Sequence, residues 1–148
     1  MRPHFRVCML VAFSFLLWAR PQPAQGSDVK ETKRPGLSLK ASPVISFSPA
    51  RIVLTAELKG GPNDFEEYYC PTVEWDWGDG THSEATADCE PYEAGKSEIK
   101  RRYIVEHVYR YAANYRVQFK LKKKDKVLSA VTATVQVRPG VRDSSIGQ

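Results

Sequence analysis

Apolar and polar residues alternate with a period of two over much of the chain, which is the pattern of half-buried β-strands. A short strand is predicted at residues 44–47, and turn residues such as Gly60-Gly61 separate the longer alternating segments. Because no long segment has a helical period, the pattern predicts an all-β, antiparallel β-sandwich. The apolar positions of the four longer strands are Ile52, Leu54, Ala56 and Leu58; Val73, Trp75 and Trp77; Tyr115, Val117, Phe119 and Leu121; and Val127, Val131, Ala133, Val135 and Val137.

The alternating pattern covers residues 43–138, which is long enough for one sandwich core. Residues 83–102 have the weakest pattern, and we expect a long excursion or a short helix there. Residues 27–42 are rich in lysine, serine and proline, so they are predicted to be a flexible lead-in. The polar residues 139–148 are predicted to be a flexible tail.

The first 26 residues have the layout of a secretory signal peptide. Arg2 and Arg6 precede an apolar run at residues 7–18, and Ala24-Gln25-Gly26 offers small residues for cleavage after Gly26. The run is shorter than the roughly 20 residues that span a bilayer, and the alternative is an uncleaved anchor. Cleavage would lower the net charge from +5 to about +2, so charge gives no reason to expect nucleic-acid binding. We predict a secreted or periplasmic protein.

The cysteine pattern fits an exported protein. Cys8 lies in the signal region, which leaves Cys70 and Cys89. Two thiols in an oxidising compartment usually pair, and closing a loop of about 20 residues stabilises a fold by roughly 3 kcal/mol. The alternative is two free thiols or metal ligands, because Cys70, His82, Cys89 and His107 contain the elements of a zinc site. Their spacings differ from the close pairs of structural zinc sites, so we predict a disulfide and no metal or cofactor.

The segment after the second long strand is the most specific motif. Trp75 and Trp77 lie on one strand face, where they supply a large anchor for a two-sheet core. Gly78 and Gly80 permit backbone angles that other residues resist. Asp79 can accept backbone N–H groups and hold the turn.

Three elements resemble the motifs of PKD domains, a family of immunoglobulin-like modules. Trp75-Asp76-Trp77-Gly78-Asp79-Gly80 resembles the W-D-F-G-D-G signature, and His107-Val108-Tyr109 resembles the H-x-Y element. Asn114-Tyr115-Arg116-Val117 is similar to the G-x-Y-x-V element, with asparagine in place of glycine. In this element Tyr115 can reach back through its hydroxyl and pin the corner.

The resemblance covers roughly residues 43–138 and implies an immunoglobulin-like antiparallel β-sandwich of about seven strands. It also implies a non-catalytic role, as a spacer, an adhesion module or a binder of glycans or proteins. The connection from Thr81 to Glu106 is longer than usual in the family and carries Cys89. The resemblance therefore implies no function for that loop.

Candidate chemistry is sparse. Asp76 and Asp79 form a carboxylate pair that acid–base chemistry or a cation site could use, but in this motif they are expected to organise a turn. Serine, histidine and aspartate are present without a nucleophile elbow or an activated cysteine. We therefore predict that the protein is not an enzyme, and a small secreted hydrolase or metal-dependent enzyme is the least favoured alternative.

Charge and aromatic residues provide the candidate binding surfaces. Residues 64–93 carry ten acids and no lysine or arginine, whereas residues 96–124 are strongly basic. The two segments either neutralise each other across the sandwich or form separate surfaces that meet partners. The acidic segment also carries aromatics that either stack on sugars and proteins or fold back into the loop. The candidate binding residues are Phe65, Tyr68, Tyr69, Tyr92, Arg101, Arg102, Lys120 and Lys122.

The sequence therefore predicts an exported, non-catalytic interaction module that binds a protein or a glycan. The alternative is a structural or assembly component of the cell envelope. A glycan binder requires exposed, roughly coplanar rings in the aromatic segment, whereas an assembly component requires self-association.

One measurement tests both the signal peptide and the disulfide. The exported protein should begin at Ser27, and its mass without reduction should be lower than that of the reduced chain by the mass of two hydrogens. Intact mass spectrometry checks both expectations. A full-mass species with two alkylatable thiols would contradict the disulfide.

Overall fold

The computed structural model describes residues 33–141, and within this range the chain forms eight β-strands. The predicted signal peptide and most of the predicted tail lie outside the described residues. No helix within residues 33–141 is long and apolar enough to cross a bilayer. The strands are β1 (Gly36–Ser42), β2 (Ile45–Phe47), β3 (Ala50–Lys59), β4 (Thr72–Asp76), β5 (His82–Thr86), β6 (Arg102–Tyr109), β7 (Ala113–Lys123) and β8 (Lys126–Arg138).

The strands form two sheets, which confirms the predicted all-β, immunoglobulin-like sandwich. The three-stranded sheet has the order β1-β3-β6, and the five-stranded sheet has the order β2-β8-β7-β4-β5. All neighbouring strands are antiparallel except β2 and β8, which are parallel. The β2–β8 pair is thus the one parallel pairing among the described strands of the antiparallel sandwich.

The first strand changes sheets, which brings the number of described strands to eight where about seven were predicted. β1 ends at Ser42 in the three-stranded sheet, and β2 begins at Ile45 in the five-stranded sheet. Pro43 follows β1 directly and has no backbone N–H group to continue a hydrogen-bonded ladder. The break therefore falls where the sequence cannot sustain the strand.

Strand β1 corrects the prediction that residues 27–42 are a flexible lead-in. Leu37 pairs with Leu58 and Leu39 pairs with Ala56, and both leucines pack against the core. The alternation of Leu37, Leu39 and Ala41 carried the strand signal, but the surrounding lysine, serine and proline residues obscured it. Within residues 33–141, regular structure begins at Gly36 rather than near Pro43.

The core lies between the two sheets, as the alternation predicted. The inward residues of β3 are almost fully buried, and so are Val117, Phe119 and Leu121 of β7. The indole rings of Trp75 and Trp77 stack with their centroids 5.5 Å apart, and Trp75 contacts Phe119 at 4.4 Å. These aromatic contacts fill the five-stranded side of the core and add to the hydrophobic stabilisation.

The weakly patterned residues 83–102 begin with a strand. β5 extends to Thr86, and its five residues are all exposed, so no alternation of burial marks it. Residues 87–101 contain no strand or helix, as expected for an excursion, and the buried Ile99 anchors them. The Ile99 N–H donates to the Asn63 carbonyl at 2.8 Å. The one helical turn in the described chain is Glu66–Tyr68, outside this segment.

Two glycines of the motif provide a matched test of the turn. Gly78 and Gly80 both have a positive φ, at 73° and 87°. A Cβ atom on Gly78 would lie 2.7 Å from the backbone oxygen of Arg116, whereas a Cβ on Gly80 would have no neighbour within 4 Å. Gly80→Ala should therefore cost only the backbone term of about 1 kcal/mol. Gly78→Ala should cost about 2 kcal/mol more, because β7 must move.

Urea unfolding of both variants measures the difference. Equal losses in unfolding free energy would contradict the close approach of Gly78 to β7.

Candidate functional site

The two motif aspartates hold the turn after β4. Asp76 Oδ1 accepts the Gly78 N–H at 2.9 Å, and Asp79 Oδ1 accepts the Thr81 N–H at 2.9 Å. The Thr81 hydroxyl also donates to Asp79, and the Trp77 N–H donates to the Thr81 carbonyl at 3.1 Å. Both carboxylates are thus occupied by the local backbone, as expected of turn-forming residues.

His107 and Tyr109 connect this turn to the opposite sheet, and we call their contacts with Asp79 and Trp77 the clamp. His107 Nε2 lies 2.8 Å from Asp79 Oδ2, and its ring stacks on Trp77 with a centroid distance of 4.4 Å. The Tyr109 hydroxyl donates to the Trp77 carbonyl at 2.9 Å in a buried position. His107 and Tyr109 belong to the three-stranded sheet, whereas Trp77 follows β4 of the five-stranded sheet. His107 therefore bridges the two sheets.

Tyr115 pins the corner before β7. Its hydroxyl donates to the Tyr111 carbonyl at 2.8 Å, and its ring stacks on Tyr109 at 4.1 Å. The contact matches the role that the sequence predicted for this tyrosine. One structural unit at this end of the sandwich therefore contains the motif residues Trp75, Asp76, Trp77, Gly78, Asp79, Gly80, His107, Tyr109 and Tyr115.

The clamp changes the acidity of its members. Burial alone would raise the pKa of Asp79, but hydrogen bonds from Thr81 and His107 outweigh it and hold that pKa below its usual value. Burial, together with the nearby Asp79 charge, raises the pKa of Tyr109. Both shifts follow from structural contacts. The Nε2 atom of His107 is directed to Asp79, and the imidazole ring lies against Trp77 and Tyr109.

The predicted disulfide is confirmed at the opposite end of the domain. Cys70 and Cys89 are bonded, with their Cα atoms 6.2 Å apart. Since both sulfurs are consumed in this bond, the cysteines cannot be zinc ligands.

The aromatics of the acidic segment fold back into the loop. Tyr68 is 1% exposed and belongs to the core, with Phe65 against it at 66° between ring planes. Tyr69 and Tyr92 are half-buried and tilted by 60°. Their hydroxyls donate to the carbonyls of Glu90 and Asp64. The rings do not form an exposed, coplanar platform, and the prediction of Tyr68 as a binding residue is wrong because its ring fills the core.

The four basic candidates are engaged within the chain. Arg101 donates to Asn63 Oδ1 and to the carbonyls of Gly60 and Gly61, so it holds the loop after β3. Arg102 contacts Glu57 at 3.0 Å. The guanidinium groups of Arg101 and Arg102 thus donate to groups of the same chain instead of to a partner, which favours a structural role for both arginines.

Lys120 and Lys122 form an ion-pair cluster on the outer face of the five-stranded sheet. Both contact Glu74, at 2.7 and 2.9 Å, and Lys122 also contacts Glu84 at 2.9 Å. The hydrogen bonds from Lys120 and Lys122 lower the pKa of Glu74. The acidic and basic segments thus neutralise each other here, which was one of the two alternatives left open by the sequence.

Acidic residues near the motif do not assemble a metal centre. Asp76, His82 and Glu84 line an open depression of about 430 Å³. Among residues 33–141, however, no three histidine, cysteine, aspartate or glutamate residues are close enough to hold a metal ion.

An exposed apolar group, which the sequence pattern did not indicate, lies on the outer face of the three-stranded sheet. Val53, Ile104 and Val108 are 38%, 62% and 44% exposed. The register pairs Val53 with Glu106, so Ile104 and Val108 lie diagonally across from Val53 on the same face. We call these three side chains the apolar face. In the sequence, these residues could have been noticed as apolar residues at outward strand positions, where polar residues are expected.

A second exposed apolar group lies on the edge strand β2. Ile45 and Phe47 are 50% and 62% exposed, and Val44 precedes them at 56%. Ile45 and Phe47 belong to the short strand β2, and Val44 directly precedes it, whereas the apolar face combines side chains of two paired strands.

No protein-family model and no curated protein matches this sequence. Among solved structures, the chain is similar to the PKD domain of an M14-like peptidase from Thermoplasmatales archaeon SCGC AB-540-F20. The identity is 18%, the match covers 74% of this chain and 99% of the other, and the TM-score is 0.49. It is also similar to a CARDB domain from Pyrococcus furiosus that was solved in complex with di-metal ions. That identity is 12%, the coverages are 70% and 94%, and the TM-score is 0.42.

Because both TM-scores are below 0.5, these similarities do not indicate a function for this chain. The observed strand order and the contacts of the motif residues are the basis for the fold.

The Asp79 carboxylate predicts a pH dependence of stability. Its pKa is lower in the folded than in the unfolded chain, so it stabilises the fold above about pH 4, and this stabilisation is lost as the pH falls through the folded pKa. Asp79→Asn should lower the unfolding free energy at neutral pH by about 1 kcal/mol. The difference from the wild type should shrink as the pH falls from about 5 to about 2.

Urea unfolding at several pH values measures this dependence. Asp125→Asn, in the turn between β7 and β8, is the matched control and should leave the pH dependence unchanged. Parallel curves for wild type and Asp79→Asn would exclude the proposed role of the carboxylate.

Proposed function

We propose that this domain is a non-catalytic module that binds another protein through the apolar face. The observation that carries the proposal is the exposure of Val53, Ile104 and Val108 on paired strands. Outward positions of a sandwich strand are usually polar, and exposed apolar side chains grouped within a polar rim are a feature of protein interfaces.

The surroundings of the apolar face fit a protein partner. Glu106 lies on the same face between Ile104 and Val108 and pairs in register with Val53, and its carboxylate contacts Arg51 at 2.6 Å. At the end of the group next to Ile104, Arg102 contacts Glu57 at 3.0 Å. These charges would orient a partner, while the three apolar side chains would contribute affinity through burial. The group is small, so we expect moderate affinity and a reversible complex.

A protein partner is favoured over a glycan because of the ring geometry. Stacking on a sugar needs an open ring face, but Tyr68 is buried and the Tyr69–Tyr92 pair is tilted by 60°. A non-catalytic role is favoured because Asp76, Asp79 and His107 are all engaged in the turn and the clamp.

The Cys70–Cys89 disulfide supports an extracytoplasmic location. Disulfides persist in oxidising compartments and are rare in the cytosol. Together with the predicted signal peptide, it supports a protein that is exported and acts in the periplasm or outside the cell.

Assembly from copies of this chain is the second candidate function. The exposed apolar side chains fit this role as well, because one surface can meet the same surface of a second copy in a two-fold arrangement. The two functions differ in the identity of the molecule that covers Ile104.

Site-specific photo-crosslinking distinguishes the two functions. A photoreactive residue is placed at Ile104 in the full-length protein, expressed in the cells that naturally produce it. The matched control is Thr134, which is exposed on the outer face of the five-stranded sheet. We expect a crosslink to a different protein from position 104 and none from position 134. Val53→Lys should reduce the yield about tenfold, because it places a charge in the contact.

Two other outcomes would change the conclusion about the apolar face. A crosslink of the chain to itself, with a dimer in sedimentation, would support assembly. Absence of a crosslink at position 104, or equal yields at positions 104 and 134, would refute the apolar face as the binding surface.

A further inference from the structure

Strand β5 is an edge strand of the five-stranded sheet, and all five of its residues are exposed. Among the described strands, it pairs with β4 alone. The other edge of the same sheet is β2, which has three residues and lies between Pro43 and Pro49, two residues without an N–H group to donate. β5 therefore presents the longer and less protected edge of this sheet.

The direction of the β5 backbone groups follows from the register with β4. The Trp77 N–H donates to the Thr81 carbonyl at 3.1 Å, so these two residues form a hydrogen-bonded pair, and the register continues from them without a shift. In an antiparallel ladder, such pairs alternate with pairs whose backbone groups point away from each other. The N–H and C=O groups of His82, Glu84 and Thr86 therefore point away from β4, toward what we call the open edge.

The open edge has no backbone partner within residues 33–141, because neither a neighbouring strand nor a backbone group from a loop reaches it. Exposed edge strands are usually protected by lysine, proline or a bulge. β5 contains no lysine or proline, and its pairing with β4 has no irregularity. The open edge can therefore receive the backbone of another extended chain.

The charge around β5 favours a basic partner. The Glu84 side chain is 50% exposed, and its ion pair with Lys122 uses Oε2 and a lysine that Glu74 shares. Asp76 pairs in register with the first residue of β5, and Asp88 follows its last residue by two positions. Neither aspartate forms an ion pair within the described part of the chain. Carboxylates therefore lie beside the middle and both ends of β5, which repels an acidic strand and attracts one with lysine or arginine.

We propose that β5 binds an extended basic segment of another protein as an added antiparallel strand. The backbone groups of His82, Glu84 and Thr86 exchange hydrogen bonds with this segment, and a lysine or arginine opposite Glu84 lies beside its carboxylate. Main-chain hydrogen bonds give such a complex its affinity, and the side chains give it selectivity. The open edge is separate from the apolar face, which lies on the other sheet.

Amide hydrogen exchange, measured by NMR on the exported, disulfide-bonded protein, tests the proposal. The probe is an acetylated and amidated peptide of alternating residues, Thr-Lys-Thr-Lys-Thr-Lys-Thr. At about ten times its dissociation constant, it should slow exchange of the His82, Glu84 and Thr86 amides about tenfold. The Ser83 and Ala85 amides bond to β4 already, so their exchange should change much less.

Two control peptides separate strand pairing from charge attraction. The peptide with glutamate in place of lysine should bind about tenfold more weakly, because its charge matches that of the open edge. The lysine peptide with a methyl group on each lysine amide nitrogen keeps its charge but cannot donate to β5. It should also lose about tenfold in affinity.

Two substitutions at one position make the same separation in the protein. Glu84→Pro removes an N–H group that points to the open edge and not to β4, so this variant should fold and bind the lysine peptide about tenfold more weakly. Glu84→Gln keeps the N–H group and should weaken binding only about twofold. Asp125→Asn, in the turn between β7 and β8, is the matched control for the loss of a carboxylate and should leave the affinity unchanged. The methylated peptide tests the wild type, so the outcome does not depend on the folding of Glu84→Pro.

The proposal would be overturned if the lysine peptide left the exchange of the His82, Glu84 and Thr86 amides unchanged. Equal affinity for the lysine and glutamate peptides would overturn the basic character of the partner. Equal affinity for the methylated and unmethylated lysine peptides would overturn strand addition, because charge attraction alone would then account for binding.

Discussion

The stack of His107 on Trp77 is the contact on which the motif end of the domain depends. Trp77 follows β4 in one sheet and His107 belongs to β6 in the other, so their ring contact at 4.4 Å connects the sheets directly. Asp79 fixes the orientation of the histidine from the turn, and the Tyr109 hydroxyl caps the Trp77 carbonyl. Each interaction requires the others, because the turn must place Asp79 and Trp77 on the same side. The motif residues therefore connect the two sheets at this end, and both aspartates accept hydrogen bonds from the backbone of the turn.

The opposite end is held by different means. There the disulfide joins the loop before β4 to the chain after β5, and Arg101 binds the loop after β3 through three hydrogen-bond acceptors. Ile99 and Tyr68 contribute buried side chains from segments without strand structure. A crosslink is valuable here because residues 87–101 have few backbone partners of their own, and constraining the unfolded chain stabilises such a loop. With both ends fixed, the sheet faces and the β5 edge are the parts that remain accessible.

The sequence predicted four of the strands that bury one face, but it assigned no strand to β1, β5 or β6. β6 was missed although its burial alternates. β3, β4, β7 and β8 alternate because one face of each meets the core, and all four were predicted. β5 was missed because none of its five residues is buried, and β1 was missed because its apolar alternation is embedded in polar residues. The disulfide could be predicted because the signal-peptide pattern indicates an oxidising compartment and only two cysteines follow it. The pairing of Glu74 with Lys120 could not be chosen over separate charged surfaces, since cross-strand neighbours depend on register, which the sequence left open.

Charge pairing decides where a partner can bind. On the five-stranded sheet, Glu74 is shared by Lys120 and Lys122, and their ammonium groups are directed to carboxylates of the same chain. A partner would have to break these contacts and desolvate each charge, which costs more than an exposed ion pair contributes. On the three-stranded sheet the Arg51–Glu106 pair lies among the side chains of the apolar face, but it is more exposed than the Lys122–Glu74 pair. Val53, Ile104 and Val108 themselves lose no polar contact when covered. Covering them removes apolar area from water at about 25 cal/mol per Å². The physical balance therefore favours the uncharged side chains over the lysine-rich strand as the contact surface.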